Sequence, residues 1–297
     1  MVQKGAHVSI VARNKERLDQ ALVTLEVIMP LPSPPATNVR SQENRLNPNQ
    51  KLNAYSFALD TAAESSKALN AACEAHDGHA PDAVFACAGS SKPKFFLEMS
   101  EDELANGMVN AYWVQAWTAW AAAKMMVRQQ RKGKILLVSS TLGFMAFLGY
   151  SSYAPGKHAL RALGDTLQSE LMLYDIDVHT FFPPTMVTDG YMEEMKTKPA
   201  ITHEIEGTDP GMSTEHAALV VFRGIQKGQL HIAGDLITNL FRSCSRGAAP
   251  RNNFLLDTLY DIATWIAVPV WRMMVDKQVK NHRDEHLEYL RANGFFD

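Results

Sequence analysis

The sequence is poor in the features that mark several classes of protein. Its 297 residues include only three cysteines, Cys73, Cys87 and Cys244, an odd and widely spaced set that predicts neither a disulfide framework nor a metal motif. A formal net charge of −3 leaves no basic excess for binding nucleic acid. The N-terminus has no basic segment followed by an apolar run, so no signal peptide is expected. We therefore expect a reduced chain facing a cytosol-like compartment, with no metal and no nucleic acid bound.

The chain does contain a regular alternation of strand and helix patterns. Apolar runs typical of buried strands occur at residues 7–12, 54–59, 82–87, 134–139 and 177–182 and near Leu230, and helical patterns occur at residues 15–28, 61–76, 101–130, 153–174 and 214–227. This alternation predicts an α/β fold with a doubly wound, Rossmann-like parallel sheet, whose ligands bind at the carboxyl ends of the strands. A loop insert at residues 30–50 is rich in proline and polar residues.

Three residues carry a pattern typical of carbonyl reduction. Tyr153 and Lys157 lie four residues apart and so share one face of a helix, and Ser140 ends the strand before that helix. Reduction of a ketone needs a proton on oxygen, which a phenol can supply, and a neighbouring lysine cation would lower the pKa of that phenol towards working pH. Ser140 would donate a hydrogen bond to the ketone oxygen as charge develops there.

Ser140, Tyr153 and Lys157 resemble the catalytic triad of the short-chain dehydrogenase/reductase family. The resemblance implies that Asn110 is the fourth catalytic residue, positioning a water for proton relay to the lysine; a polar residue that bends the helix is the alternative. It further implies that Ala88 and Gly89, in the turn after residues 82–87, approach the cofactor, although Ala86 and Cys87 depart from the family's two asparagines.

The family resemblance also assigns residues that would bind the ends of a dinucleotide. Asp60 matches the residue that contacts adenine, and it would serve equally well as a helix N-cap. Arg13 follows the first strand, where Ala12 replaces the acid of NAD-preferring relatives, so NADPH is expected unless Arg13 is simply a solvated surface residue. Thr188 matches the threonine that binds the nicotinamide amide, and the resemblance gives Tyr153 and Lys157 contacts with the cofactor as well.

The segment that follows residues 177–182 narrows the resemblance to one subfamily. Pro183-Pro184, Gly190, Glu193-Glu194 and Lys198-Pro199 are similar to the 3-ketodihydrosphingosine reductases. This likeness implies NADPH-dependent reduction of 3-ketosphinganine to sphinganine in sphingolipid synthesis, at the cytosolic face of the endoplasmic reticulum membrane. Two alternatives stay open: reduction of another apolar carbonyl, such as a steroid or retinoid, and a non-catalytic remnant that binds other molecules.

The hypothesis of a non-catalytic remnant rests on a second feature that the sequence lacks. The family's first strand and its glycine-rich turn, which cradles the pyrophosphate, have no counterpart before Gly5, and the segment Gln3–Ala6 resembles a helix end with a glycine stop. We therefore expect a sheet that lacks its first strand, an N-terminally truncated chain and weakened cofactor binding.

The C-terminal part has a different composition. We expect a catalytic domain over residues 1–235, with a substrate loop at 188–213, and a helical extension over residues 236–297. Residues 254–275 are apolar, but the uncharged stretch within them spans only residues 262–271 and Pro269 should kink or break it. Three roles are open for this segment: an interfacial membrane helix, a dimer surface or a lid on the core. The lipid-like substrate implied by the resemblance favours the membrane.

Overall fold

A computed structural model describes residues 1–28, 50–207 and 211–296 of the chain. Its strands are β1 (Val8–Ala12), β2 (Leu52–Ser56), β3 (Ala83–Ala86), β4 (Gly133–Val138), β5 (Ile176–Phe182) and β6 (His231–Ala233). All strand pairs are parallel, as predicted, but the strands form two sheets: β1 pairs with β2, and the other four are ordered β3-β4-β5-β6. The predicted loop insert at 30–50 lies outside the described residues except for Gln50.

Helices cover the sheets and extend the chain at its C-terminal end. They are α1 (Lys15–Ile28), α2 (Ala62–Glu74), α3 (Glu101–Met108), α4 (Val114–Arg128), α5 (Ala154–Leu171), α6 (Asp189–Met195), α7 (Ala200–Glu206), α8 (Thr214–Gln226), α9 (Leu236–Cys244), α10 (Phe254–Asn281) and α11 (Arg283–Ala292). Helix α2 packs on both β2 and α4 and so joins the two-stranded sheet to the larger one.

The larger sheet has a core on each face, because successive side chains of β4 point in opposite directions. Ile135 and Leu137 are fully buried among residues of α4 and α5. Leu136 points to the other face and packs with Phe181, Ile232 and residues of α8. This burial on both faces explains why the strands read as continuous apolar runs in the sequence.

Three local features differ from the sequence predictions, and one agrees with them. The helix expected over 101–130 is interrupted by a π-helical turn at Val109–Trp113. Helices α6 and α7 were not predicted, whereas α9 lies within the helical extension expected over residues 236–297. The first residues form a 3-10 turn, Val2–Lys4, that Gly5 ends with a φ of 77°, as the glycine stop indicated. Helix α10 runs through Pro269 without a break.

Candidate active site

The carboxyl ends of β3, β4 and β5 meet at one edge of the larger sheet and form a cavity of about 640 Å³. Ser140, Tyr153 and Lys157, which the sequence analysis selected, all line this cavity, together with Gly89 and Thr188. Its volume lies within the range of small-molecule sites. The structure therefore brings the predicted catalytic triad together at the edge where the fold places ligands.

The start of α5 positions the tyrosine and the lysine. Tyr153 stands at the N-cap of α5, and Lys157 lies one turn further on, with its Nζ 5.3 Å from the centre of the Tyr153 ring. The Lys157 side chain is buried, and its ammonium donates a hydrogen bond of 2.8 Å to the Val138 carbonyl at the end of β4. The Ser139 hydroxyl donates to the Lys157 carbonyl at 2.9 Å and so fixes α5 against the same strand.

The pKa values of Tyr153 and Lys157 differ from the sequence prediction. Burial raises the pKa of the Tyr153 phenol, the charge of Glu194 raises it further, and a hydrogen bond with Ser140 offsets only part of the rise. Burial also lowers the pKa of Lys157 to about 7. The expectation that a lysine cation makes this phenol acidic is therefore wrong, because burial is the largest influence on the pKa of both groups.

A raised pKa suits a proton donor in the reducing direction. A phenol with a raised pKa keeps its proton at working pH and would give it up only when hydride addition turns a ketone oxygen into a much stronger base. Ser140 lies beside it as a second hydrogen-bond donor to that oxygen.

Asn110 lies in the π-helical turn between α3 and α4. Its side-chain amide donates to the Asn106 carbonyl at 2.9 Å. A Cβ atom at position 89 would lie 2.9 Å from the Asn110 carbonyl oxygen and 3.8 Å from Lys157 Nζ, so these two polar atoms flank the same glycine. Turns of this type are often found at functional sites. The predicted water relay through Asn110 stays a prediction.

Gln115 is a site residue that the sequence analysis missed. Its buried amide donates to the Ala88 carbonyl at 3.0 Å and to the Val138 carbonyl at 2.9 Å, and its oxygen accepts from the Val138 amide at 2.8 Å. It therefore ties the end of β3 to the end of β4, the strand that also holds Lys157. The only signal in the sequence was one amide in an otherwise apolar helix segment.

The residues predicted to bind the outer parts of a dinucleotide lie on the surface. Arg13 is exposed at the carboxyl end of β1, and Asp60 is exposed just before α2. Thr61, rather than Asp60, caps α2 by accepting from the Glu64 amide, so the N-cap alternative for Asp60 is wrong. Thr188 caps α6 and also faces the cavity.

The described residues fit the nicotinamide end of a dinucleotide better than they fit its pyrophosphate. Gly89 permits close backbone approach beside Lys157, because any side chain there would collide with Asn110. The turn between β1 and α1, Arg13-Asn14, carries no glycine, and none of the described residues forms a glycine-rich cradle for a pyrophosphate. Tyr153, Lys157 and Thr188, which the family resemblance assigned to the nicotinamide end of such a cofactor, lie together in the lining of the cavity. Within the described part of the chain, no group of acidic, histidine or cysteine side chains could hold a metal ion.

The fold and this site define a dinucleotide-dependent oxidoreductase. A family model for short chain dehydrogenases matches residues 1–199, and the chain belongs to that family. As an enzyme of this family it works with a nicotinamide cofactor.

The chain is also similar to curated proteins that share one enzyme name. The chain is 39% identical over 296 residues to the 3-ketodihydrosphingosine reductase TSC10 of Cryptococcus neoformans, across 100% of this chain and 83% of the relative. It is 30% identical over 298 residues to the 3-ketodihydrosphingosine reductase ksrA of Aspergillus fumigatus, across 93% of this chain and 76% of the relative.

Solved structures agree on the fold. The apo form of LigD from Sphingobium superposes with a TM-score of 0.62 at 18% identity, covering 84% of this chain and 90% of the other. A short-chain dehydrogenase from Sphingobium yanoikuyae, in complex with NADPH, gives 0.61 at 19% identity, covering 79% and 80%.

Proposed function

We propose that this chain reduces 3-ketosphinganine to sphinganine, with NADPH as the hydride donor, in sphingolipid synthesis. The observation that carries the proposal is a proton-donating pair, Tyr153 and Ser140, that opens into a cavity with a long apolar wall. The curated relatives named above support the choice of a sphingoid ketone.

The reaction divides between the cofactor and the chain. The reduced nicotinamide supplies the hydride that reaches the ketone carbon. Ser140 holds the ketone oxygen by a hydrogen bond, and the Tyr153 hydroxyl gives it a proton as negative charge develops there. Lys157, whose pKa lies near 7, can carry a proton to the site and pass it on after the phenol has given up its own.

The rest of the cavity suits a long alkyl chain. Apolar side chains make up part of its lining: Met145, Phe147, Ile237, Phe241 and Trp271. A second, mostly apolar cavity of about 470 Å³ shares Phe147 and Tyr150 with the first, so more apolar space lies next to the site. A sphingoid ketone has this form, with one polar end and one long chain.

The choice of NADPH over NADH is supported by the end of β1. Arg13 is exposed there, while Ala12 takes the place where an acid would repel a 2′-phosphate. A guanidinium at this position would attract that phosphate.

Helix α10 supports a membrane location, which we propose to be the cytosolic face of the endoplasmic reticulum. The helix is 28 residues long and apolar enough to cross a membrane, with only 11% of its most apolar window buried. Its other side is held by the core: Asp257 pairs with Arg242 of α9, and Trp271 packs on Phe241. We therefore propose that α10 lies in the interface, with its exposed face in lipid, and does not span the bilayer.

Turnover on a panel of ketones tests the proposed function. The full chain is given NADPH and, in mixed micelles, 3-ketosphinganine, a steroid ketone or retinal, and cofactor oxidation is followed. We expect 3-ketosphinganine to be reduced with the highest kcat/KM. Faster reduction of the steroid or of retinal would reject the sphingoid assignment, and the absence of both turnover and NADPH binding would favour the non-catalytic alternative.

A further inference from the structure

Tyr150, which precedes α5, forms a closely bonded network with three charged side chains of the segment that follows β5: Glu194, Lys198 and Glu206. The Tyr150 hydroxyl lies 2.7 Å from Glu194 Oε1 and 2.6 Å from Glu206 Oε1. Lys198 Nζ lies 3.1 Å from Glu194 and 2.8 Å from Glu206. The network thus joins α6, the end of α7 and the segment before α5.

The network carries an excess of negative charge. One ammonium, from Lys198, faces two carboxylates, so the formal sum is −1. Burial and the two neighbouring carboxylates raise the pKa of Tyr150, which therefore adds no charge. Burial opposes the charge on Lys198, but its bonds to Glu206 and Glu194 outweigh burial and raise its pKa. A phenol has one proton, so Tyr150 donates to one carboxylate at a time.

The excess charge faces the reacting centre. Glu194 and Glu206 both line the catalytic cavity, while the Lys198 side chain behind them is only 1% exposed. The Tyr150 ring lies 6.2 Å from the Tyr153 ring. Among the described residues that line this cavity, three carboxylates, those two and Asp235, stand against the single ammonium of Lys157. The wall beside the proton donor therefore attracts a cation.

We propose that Glu194, supported by Glu206, binds an ammonium group on the carbon next to the substrate's ketone, and so selects 2-amino ketones from other apolar ketones. The inference rests on the proposed function and extends it, because 3-ketosphinganine carries its ammonium on that carbon. A ketone oxygen at Tyr153 places the neighbouring ammonium within reach of the adjacent wall, where it adds a second cation to two carboxylates that share the one ammonium of Lys198. Steroids and retinal have no such cation.

The proposal differs from a purely structural role, in which the network only holds α6 and α7 together. A structural role makes every substrate suffer equally when Glu194 is changed. A recognition role makes the loss depend on the charge of the substrate, since a charge-assisted hydrogen bond is lost only when the ammonium is present.

The test compares two ketones and two variants. The ketones are 3-ketosphinganine and 1-hydroxyoctadecan-3-one, which has the same chain and ketone but hydrogen in place of the ammonium. For Glu194→Gln we expect kcat/KM on 3-ketosphinganine to fall about 10- to 100-fold more than kcat/KM on the uncharged ketone, whose own change reports the effect of Glu194 on Tyr153. The control Glu193→Gln removes an exposed carboxylate that pairs with Lys196. It should behave as wild type on both ketones.

Binding of the two alcohols provides an arm that needs no turnover. Wild type should bind sphinganine more tightly than octadecane-1,3-diol, and Glu194→Gln should remove most of that difference while its melting temperature stays near that of wild type. Equal losses on both ketones, or equal affinity of wild type for both alcohols, would overturn the ammonium site. If neither ketone is reduced, the proposed function fails, and the alcohol affinities still decide the ammonium site.

Discussion

The burial of Lys157 costs free energy of folding, although the proposed proton transfer uses the same side chain. Its side chain is buried behind Tyr153, and the Val138 carbonyl is its hydrogen-bond acceptor. Burial lowers the pKa of Lys157 to about 7, from an ordinary value of 10.5. The folded chain therefore binds the lysine proton more weakly than the unfolded chain does, and this difference costs stability wherever the unfolded chain is protonated.

The pH dependence of stability follows from that shift. Between pH 7 and pH 10.5 the unfolded chain holds more protons on this group, so the free energy of unfolding should rise with pH across this window. From pH 7 to pH 9 we expect Lys157 to contribute a rise of about 2 kcal/mol. Denaturant unfolding of wild type and Lys157→Met at both pH values isolates this contribution, because other groups cancel in the comparison. Identical pH dependence in the two proteins would contradict the burial of a titrating lysine.

Arg13 tests the cofactor preference at a single position. Arg13→Asp replaces a cation with an anion where the 2′-phosphate would lie, so KM for NADPH should rise at least about 10-fold while NADH is affected little. Steady-state kinetics with both cofactors measure this, and Arg128→Asp, an exposed change on α4, is the control. An unaltered NADPH/NADH ratio would remove Arg13 from the cofactor site.

The sequence predicts the site residues that are separated by a fixed spacing along the chain. Ser140, Tyr153 and Lys157 were found because a strand end and one helical turn place them together. The pKa values could not be read in the same way, because they depend on burial and on Glu194, which approaches Tyr153 from a distant segment. Gln115 and the Tyr150 network depend on the same kind of long-range contact.

Among the elements, α9 and α10 are joined by a buried ion pair. Arg242 and Asp257 are each about 1% exposed, and the guanidinium donates to both carboxylate oxygens. The Ser243 hydroxyl also donates to the Asp257 carbonyl at 2.9 Å. These bonds hold the first turn of α10 on the core, which fixes where Trp271 meets the cavity.

Removing one partner of this pair should be costly. Arg242→Met leaves the Asp257 carboxylate buried without its cation, and we expect the free energy of unfolding to fall by about 3 kcal/mol or more. Arg251→Met, which removes a half-exposed partner of Asp261, should cost less than about 1 kcal/mol. Denaturant unfolding distinguishes the two, and the double variant Arg242→Met/Asp257→Leu should recover part of the loss. Equal effects of the two single variants would show that the buried pair does not hold α10.

The helix boundaries match those predicted from the sequence where a capping residue and the apolar periodicity indicate the same limit. Helix α1 has the predicted limits, and Ser213 caps α8 at the predicted start. The π-helical turn left no signal in composition, because Val109–Trp113 reads as ordinary helix. Pro269 misled the prediction of a break. It lies on the exposed side of α10 together with Trp265, four residues earlier, whose carbonyl loses its helical donor where it can be solvated.

At the scale of the molecule, one face of α10 is more apolar than a protein surface in contact with water usually is. Leu259, Ile262, Ile266 and Met273 repeat along α10 at helical spacing and are each at least 60% exposed, with Trp265 at 81% beside them. Contiguous apolar surface of this kind marks an interaction site. Because the opposite side of α10 lines the catalytic cavity through Trp271, a lipid surface bound here would lie next to the site that takes a lipid-like substrate.

Membrane binding can be separated from catalysis by changing that face. Trp265→Glu/Ile266→Glu should reduce co-sedimentation with phosphatidylcholine–phosphatidylserine vesicles at least about 10-fold, because two large apolar side chains lose their burial in lipid. Turnover of a short-chain, water-soluble 2-amino ketone should be unchanged. Val23→Glu, at an exposed apolar position of α1, is the control. Vesicle binding equal to that of wild type would reject α10 as the membrane contact.

The most direct test of the whole account is turnover by Tyr153→Phe with 3-ketosphinganine and NADPH. This change removes the hydroxyl and leaves the ring, so we predict that kcat falls by about 10²- to 10⁴-fold while NADPH and sphinganine bind as they do to wild type. Near-normal turnover by this variant would contradict the central claim that the Tyr153 phenol protonates the ketone.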